Sequence, residues 1–145
     1  MSCGCNYVPE AKEKYTATIK DEIAADGSFV RQENIFTTPF GDGEGELKAE
    51  AGRYKLYWAK GCHWSNRASI VRELLGLEDA IDVQIVGQSK VNDGKSNAWT
   101  VTTEDGSPDP QTGFSYLYEF YENAKPGFTG RATVPTLVDL TKKRR

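Results

Sequence analysis

A thiol at the start of a helix can act as a nucleophile near neutral pH, and Cys62, in Cys62-His63-Trp64-Ser65, stands at such a start. It lies between an apolar strand-like run, Tyr54 to Trp58, and an amphipathic helix-like run, Asn66 to Leu75. Backbone N–H groups left unpaired in a first helical turn, with the positive end of the helix dipole, favour thiolate over thiol. Far along the chain, Ala132-Thr133-Val134-Pro135-Thr136-Leu137 puts a proline at the head of a β-branched, apolar run. Proline is tolerated at a strand's first residue and readily takes a cis bond.

Other residues with chemical potential carry less. His63 is the single histidine of the chain, so a Cys-His dyad or a His-based metal site would rest on one residue; it reads as a partly exposed side chain at the mouth of the Cys62 site. Protonated, it would favour the thiolate. Cys3 and Cys5 have no other clustered ligands and read as a tail rather than a metal site. Trp64 reads equally as core or as ligand contact, whereas Trp99, isolated in a polar stretch, favours a ligand contact. Gly41, Gly43 and Gly45 neither follow a strand nor open a helix, which argues against a phosphate-cradling loop.

The elements that would position Cys62 are legible from periodicity. Tyr54, Leu56 and Trp58 alternate on one face of a strand. Ile70, Val71, Leu74 and Leu75 mark one side of the following helix, and Gly76 reads as its left-handed cap. Ile81, Val83 and Ile85 supply a second strand, and a helix between two short strands implies a right-handed βαβ unit. Asn92 to Thr112 reads as a long loop, of the kind that carries function. Phe114, Leu117, Tyr118 and Tyr121 give a second helical stripe, and Val134 to Leu140 a third strand. Residues 1–52, with the glycine-rich Gly41 to Glu46, read as an irregular amino-terminal extension, and 53–145 as the folded domain.

Composition bounds the rest. The 145 residues, 38% apolar, suit one globular unit with a real core. A net charge of −3 gives no broad electrostatic reason to bind nucleic acid or an anionic membrane. Lys142-Lys143-Arg144-Arg145 reads as a solvated basic turn. No run has the length of a membrane span and the amino terminus lacks signal-peptide character, so the expectation is a cytoplasmic protein, with three cysteines kept as thiols.

A strand, a cysteine at a helix start, a second strand and a distant Val-Pro opening a third resembles the thioredoxin-like superfamily, an α/β fold. The match narrows through Gly52-Arg53-Tyr54-Lys55-Leu56-Tyr57, then Cys62-His63-Trp64 with Arg67, then Val71 to Ile81. Gly113 to Tyr121 and Pro126 to Leu137 continue it. Over roughly residues 29–140 the chain resembles the amino-terminal domain of the glutathionyl-hydroquinone reductases, the Xi-class glutathione transferases. The resemblance implies an enzyme whose Cys62 forms a mixed disulfide with glutathione, a co-substrate rather than a bound cofactor. A second glutathione then clears it, with no resolving cysteine needed where Ser65 stands. It implies that the Val134 backbone, beside cis-Pro135, holds the glutathione cysteinyl group, and that Trp64 and Trp99 line the glutathione site. A quinone-type small molecule would be the other partner, and homodimerisation stays open.

Two departures accompany the resemblance. The family's usual Cys-Pro-Trp is Cys62-His63-Trp64 here. The family's Glu-Ser pair, a fourth strand, a closing helix and the helical carboxy-terminal domain would follow residue 145, so a truncated thioredoxin-like domain is the expectation. Two rivals remain at this level: a non-catalytic thiol-binding or interaction module, and a glutaredoxin-like monothiol oxidoreductase.

Overall fold

The structure, a computed structural model, describes residues 17–90 and 97–142. The readings of Cys3, Cys5 and the last three residues of the basic terminus fall outside them.

Strand β1 (Tyr54–Trp58) is the centre of a three-stranded sheet ordered β2-β1-β5. Helix α1 (His63–Leu74) follows it and returns the chain to β2 (Ile81–Ile85), which pairs parallel to β1 with Tyr54 opposite Ile81 and Trp58 opposite Ile85. The expected βαβ unit is therefore present. Gly76, at φ +63°, terminates α1 as the sequence predicts: its N–H donates to Glu73 O and that of Leu77 to Arg72 O, a Schellman pair. The Arg72 side chain then donates to Ile81 O and Glu78 O at 2.6 and 2.9 Å, fixing the turn between α1 and β2.

The apolar stripe of α1 faces the other way from the sequence expectation. Ile70, Val71, Leu74 and Leu75 are all more than half exposed, Leu74 at 78%. The less exposed face is Ser65, Ala68, Ser69 and Arg72, which keeps helical spacing, three of the four with smaller side chains.

Beyond β2, strand β3 (Gly87–Lys90) pairs antiparallel with β4 (Asn97–Thr100), and β4 falls inside the stretch Asn92 to Thr112 that the sequence reading has as one long loop. Asn, Ser and Gly around Trp99 and Thr100 hide the strand from periodicity. Gly87 lets the Thr100 side chain come close in the pair, since a Cβ there would stand 2.5 Å from Thr100 Oγ1 and that side chain would have to shift. Residues 101–116 remain irregular and lead to α2 (Leu117–Ala124). The predicted second stripe forms in part: Leu117 and Tyr118 are buried and Tyr121 is half-buried on the helix, Phe114 precedes the helix, and Phe120 is buried in addition. Strand β5 (Thr136–Asp139) runs antiparallel to β1, shorter than predicted, directly after Pro135.

The core is the cluster Tyr57, Ala59, Val86, Val101, Leu117, Tyr118, Phe120 and Ala132, between the sheet and α2. Burying side chains of this size stabilises by roughly 1.5–3 kcal/mol each. Residues 17–52 are not merely an irregular leader. A 3-10 turn at Ile19–Glu22, capped by Thr18, turns the buried Glu22 towards Arg131, and Phe36 packs edge-on to Tyr121 at 5.2 Å.

Candidate active site

Cys62 is the N-cap of α1, with extended backbone at φ −100° and ψ 115°, and its own N–H donates to Ala59 O. An N-cap side chain ordinarily accepts from the N–H groups of the second and third helical residues, here Trp64 and Ser65. The Cys62 sulfur therefore stands where a serine or aspartate oxygen would in a common cap. As a thiol it makes no capping hydrogen bond and lies 3.8 Å from Val134 O, a long and weak S–H contact. As a thiolate it meets donors. Partial burial alone would raise its pKa, but the Ser65 hydroxyl and the N–H groups of Ser65 and Trp64 outweigh burial and hold it below the ordinary thiol value. The first turn of α1 carries no acidic residue to oppose an anion.

The opposite wall is the segment before β5. The Val134–Pro135 bond is cis, as the sequence predicts. Val134 lies beyond the β1–β5 ladder, whose last pair is Tyr57 with Thr136. Tyr121 buttresses this segment: its hydroxyl donates to Thr133 O at 2.9 Å and lies 3.0 Å from Thr136 Oγ1. From the amino-terminal strap, Gln32 donates to Arg131 O at 2.7 Å and accepts the Arg131 N–H at 2.6 Å, while the Arg131 guanidinium meets Glu22 at 2.6 Å.

Of the residues singled out from sequence, Cys62, Val134 and Trp99 all pack at the margin of the core cluster, and Pro135 adjoins Val134. Trp99 is half-buried in β4, not isolated in a loop. Trp64 is 63% exposed, with the Arg67 guanidinium 4.7 Å above its ring, which rules out the core reading. His63 is exposed at the first position of α1.

Sequence reasoning missed three groups. Ser65, noted only as occupying a second cysteine's position, is fully buried against Cys62. The Glu22–Gln32–Arg131 clamp joins residues too far apart for spacing to suggest it. The third is a buried trio in which Lys55 Nζ and Tyr57 OH both donate to Asp109 Oδ2, at 3.1 and 2.5 Å. A lysine inside the apolar run Tyr54-Lys55-Leu56-Tyr57-Trp58 was the visible signal, because a buried ammonium needs a carboxylate. No group of three or more metal-ligating side chains occurs among the described residues. None of their helices is long and apolar enough to cross a membrane. The hollow lined by Gly41, Asp42, Lys48, Ala49 and Glu50 contains none of the site residues.

A parallel βαβ unit, a cysteine capping its helix and a facing cis-proline before an antiparallel strand define a thioredoxin-like domain with a single-cysteine centre. No family model matches the chain. Among curated proteins it is 38% identical over 125 residues to the glutathionyl-hydroquinone reductase PcpF of Sphingobium chlorophenolicum, covering 86% of this chain and 38% of that protein. Among solved structures, the Xi-class glutathione transferase of Natrialba magadii superposes with a TM-score of 0.66 at 38% identity, again over 86% of this chain and 38% of the other. Glutathione-bound YqjG of Escherichia coli, a glutathione transferase homologue, gives 0.55 at 34% identity, over 72% and 33%. By sequence and fold the chain belongs with the glutathionyl-hydroquinone reductases and Xi-class glutathione transferases, as their thioredoxin-like domain. It spans about 38% of the length of the curated relatives it matches.

Proposed function

We propose that Cys62 is the nucleophile of a glutathione-dependent reductase acting on glutathionyl-hydroquinones through a mixed disulfide. The observation that carries this reading is the Cys62 sulfur at the α1 N-terminus, with neutral donors behind it and the Val134 carbonyl before it. The Cys62 thiolate attacks the glutathionyl sulfur of the substrate. A Cys62–glutathione S–S bond forms as the carbon–sulfur bond to the ring breaks; the electron pair stays on the ring carbon, which takes up a proton to give the hydroquinone. A second glutathione thiolate then attacks the glutathione sulfur of the mixed disulfide, releasing glutathione disulfide and the Cys62 thiolate. Ring carbon is reduced and two glutathiones are oxidised, so no further redox partner is needed.

Two features favour this one-cysteine route. Among the described residues Cys62 is the only cysteine, and Ser65 occupies the place from which a resolving thiol would act. The Val134 backbone beside Pro135 would hold the cysteinyl part of glutathione, with Trp99 and the exposed Trp64 flanking it. Intact-mass analysis after exposure to oxidised glutathione across a pH series tests the reading. We expect one adduct, absent in Cys62→Ser, forming well below the ordinary thiol pKa of about 8.5. An adduct only at alkaline pH, or none, would replace this reading by that of a non-catalytic thiol-binding module.

A further inference from the structure

The Ser65 side chain is fully buried, and with a neutral Cys62 its Oγ has no hydrogen-bond partner among the described residues. Buried hydroxyls are ordinarily paired, and leaving one unpaired costs about 1–3 kcal/mol, so such a group calls for a reason. Its position supplies one. Ser65 is the third residue of α1 and Cys62 the N-cap. The side chains of an N-cap residue and of the third helical residue lie at the same corner of a helix start, and the Ser65 hydroxyl is among the groups acting on the Cys62 sulfur.

The sulfur in that corner changes its hydrogen-bonding character during the proposed cycle. A neutral thiol is a weak acceptor and uses its proton on Val134 O, 3.8 Å away. A thiolate has no proton and accepts strongly. We propose that Ser65 is a positioning residue for the Cys62 chemistry, its buried hydroxyl donating to the Cys62 sulfur whenever that sulfur is anionic: before attack on the substrate, and again as the mixed disulfide is cleared. This inference rests on Cys62 being the nucleophile.

The other groups around the sulfur are compatible with the role. Those acting on it are uncharged: the Ser65 hydroxyl, the N–H groups of Trp64 and Ser65, and the Val134 carbonyl. Of the neighbouring basic side chains, Lys60 and His63 are exposed, and Arg67 is stacked over Trp64. The facing segment contributes Val134 and Pro135 and no charge, and the first turn of α1 holds no carboxylate. Removing the hydroxyl deletes no hydrogen bond seen among the described residues, so its effect on folding and its effect on the thiolate separate.

The test is the rate of iodoacetamide alkylation of Cys62 against pH, read on the tryptic peptide Gly61 to Arg67, which contains no other cysteine. Wild type and Ser65→Ala are compared, with thermal unfolding of each. We expect Ser65→Ala to fold with an unchanged or higher Tm. Its alkylation midpoint should move to higher pH, lowering the rate at a fixed pH below both midpoints by roughly tenfold, as one unit of pKa requires. Ser65→Thr, which keeps the donor, should stay near the wild-type midpoint. Superimposable profiles for wild type and Ser65→Ala, with the wild-type midpoint low, would overturn the Ser65 role and leave Cys62 as nucleophile. A wild-type midpoint at the ordinary thiol value would overturn both. Failure of Ser65→Ala to fold would also overturn the role, since it would assign the hydroxyl to structure.

Discussion

At the scale of single residues, the buried Lys55–Tyr57–Asp109 trio is the strongest polar commitment in the domain. Asp109 is inaccessible to solvent, and besides Lys55 and Tyr57 its carboxylate accepts the Gln111 N–H at 2.8 Å. Burial alone would raise its pKa; the Tyr57 hydroxyl, the Gln111 N–H and the Lys55 ammonium outweigh that and hold it below the usual carboxylate value. The same proximity, added to burial, pushes the Tyr57 phenol well above its ordinary pKa. Asp109→Ala strands a buried ammonium and should destabilise by about 3–5 kcal/mol, measured by urea unfolding at pH 7. A loss within experimental error of zero would mean that Lys55 finds water or another partner. At this scale the sequence disclosed Cys62, while Lys55 inside an apolar run was a signal that the sequence reading passed over. It could not disclose the lysine's partner, because Asp109 sits in an irregular segment whose path to β1 no periodicity encodes.

Among elements, the strap of residues 17–52 is the one whose importance was hidden. It lacks a regular hydrophobic repeat, since its attachment runs through Gln32, Glu22 and Phe36 rather than through an amphipathic face. Gln32 satisfies both the N–H and the C=O of Arg131, three residues before Val134. Gln32→Ala removes both bonds, each worth about 0.5–1.5 kcal/mol net, and should speed hydrogen exchange across residues 17–36 and 131–134. Unchanged exchange around 131–134 would show that Tyr121 alone holds that segment. Helix α1 teaches the converse lesson. Its existence, its Cys62 start and its Gly76 stop were legible because caps are local. Its orientation was not, because the apolar stripe Ile70, Val71, Leu74 and Leu75 is the exposed side and the less exposed side carries Ser65, Ala68 and Ser69. Leu74→Lys on the exposed face should therefore leave the stability of this chain within about 0.5 kcal/mol while reducing its binding of a hydrophobic dye.

For the whole molecule, three carboxylates link distant parts of the chain: Glu22 to Arg131, Asp109 to Lys55, and Asp139 to Arg53. Each is pushed up by burial and pulled down further by its partners, ending below its ordinary pKa. A lowered folded pKa gives stability that is present above the unfolded value, about 3.9 for Asp and 4.3 for Glu, and is lost as pH falls through the folded value. Stability measured from pH 7 to pH 2 should therefore fall below about pH 5, and Glu22→Gln should flatten part of that slope. An undiminished slope in the variant would exclude Glu22 as a contributor. The fold class was readable because βαβ spacing and the Cys62 and Val134–Pro135 landmarks are sequence-local signals. The β3–β4 pair and the less exposed face of α1 were not, because both depend on contacts that only the assembled domain makes.

The Gln32–Arg131 pair also has a history in time. Its two members are 99 positions apart, and a chain lengthening by about 5–20 residues per second needs roughly 5–20 s to supply the second after the first. Throughout that interval Glu22 and Phe36 lack the distant partners they meet in the fold, Arg131 and Tyr121. The strap is thus made well before the segment it clamps, and the wall opposite Cys62 takes its final form only when the two meet.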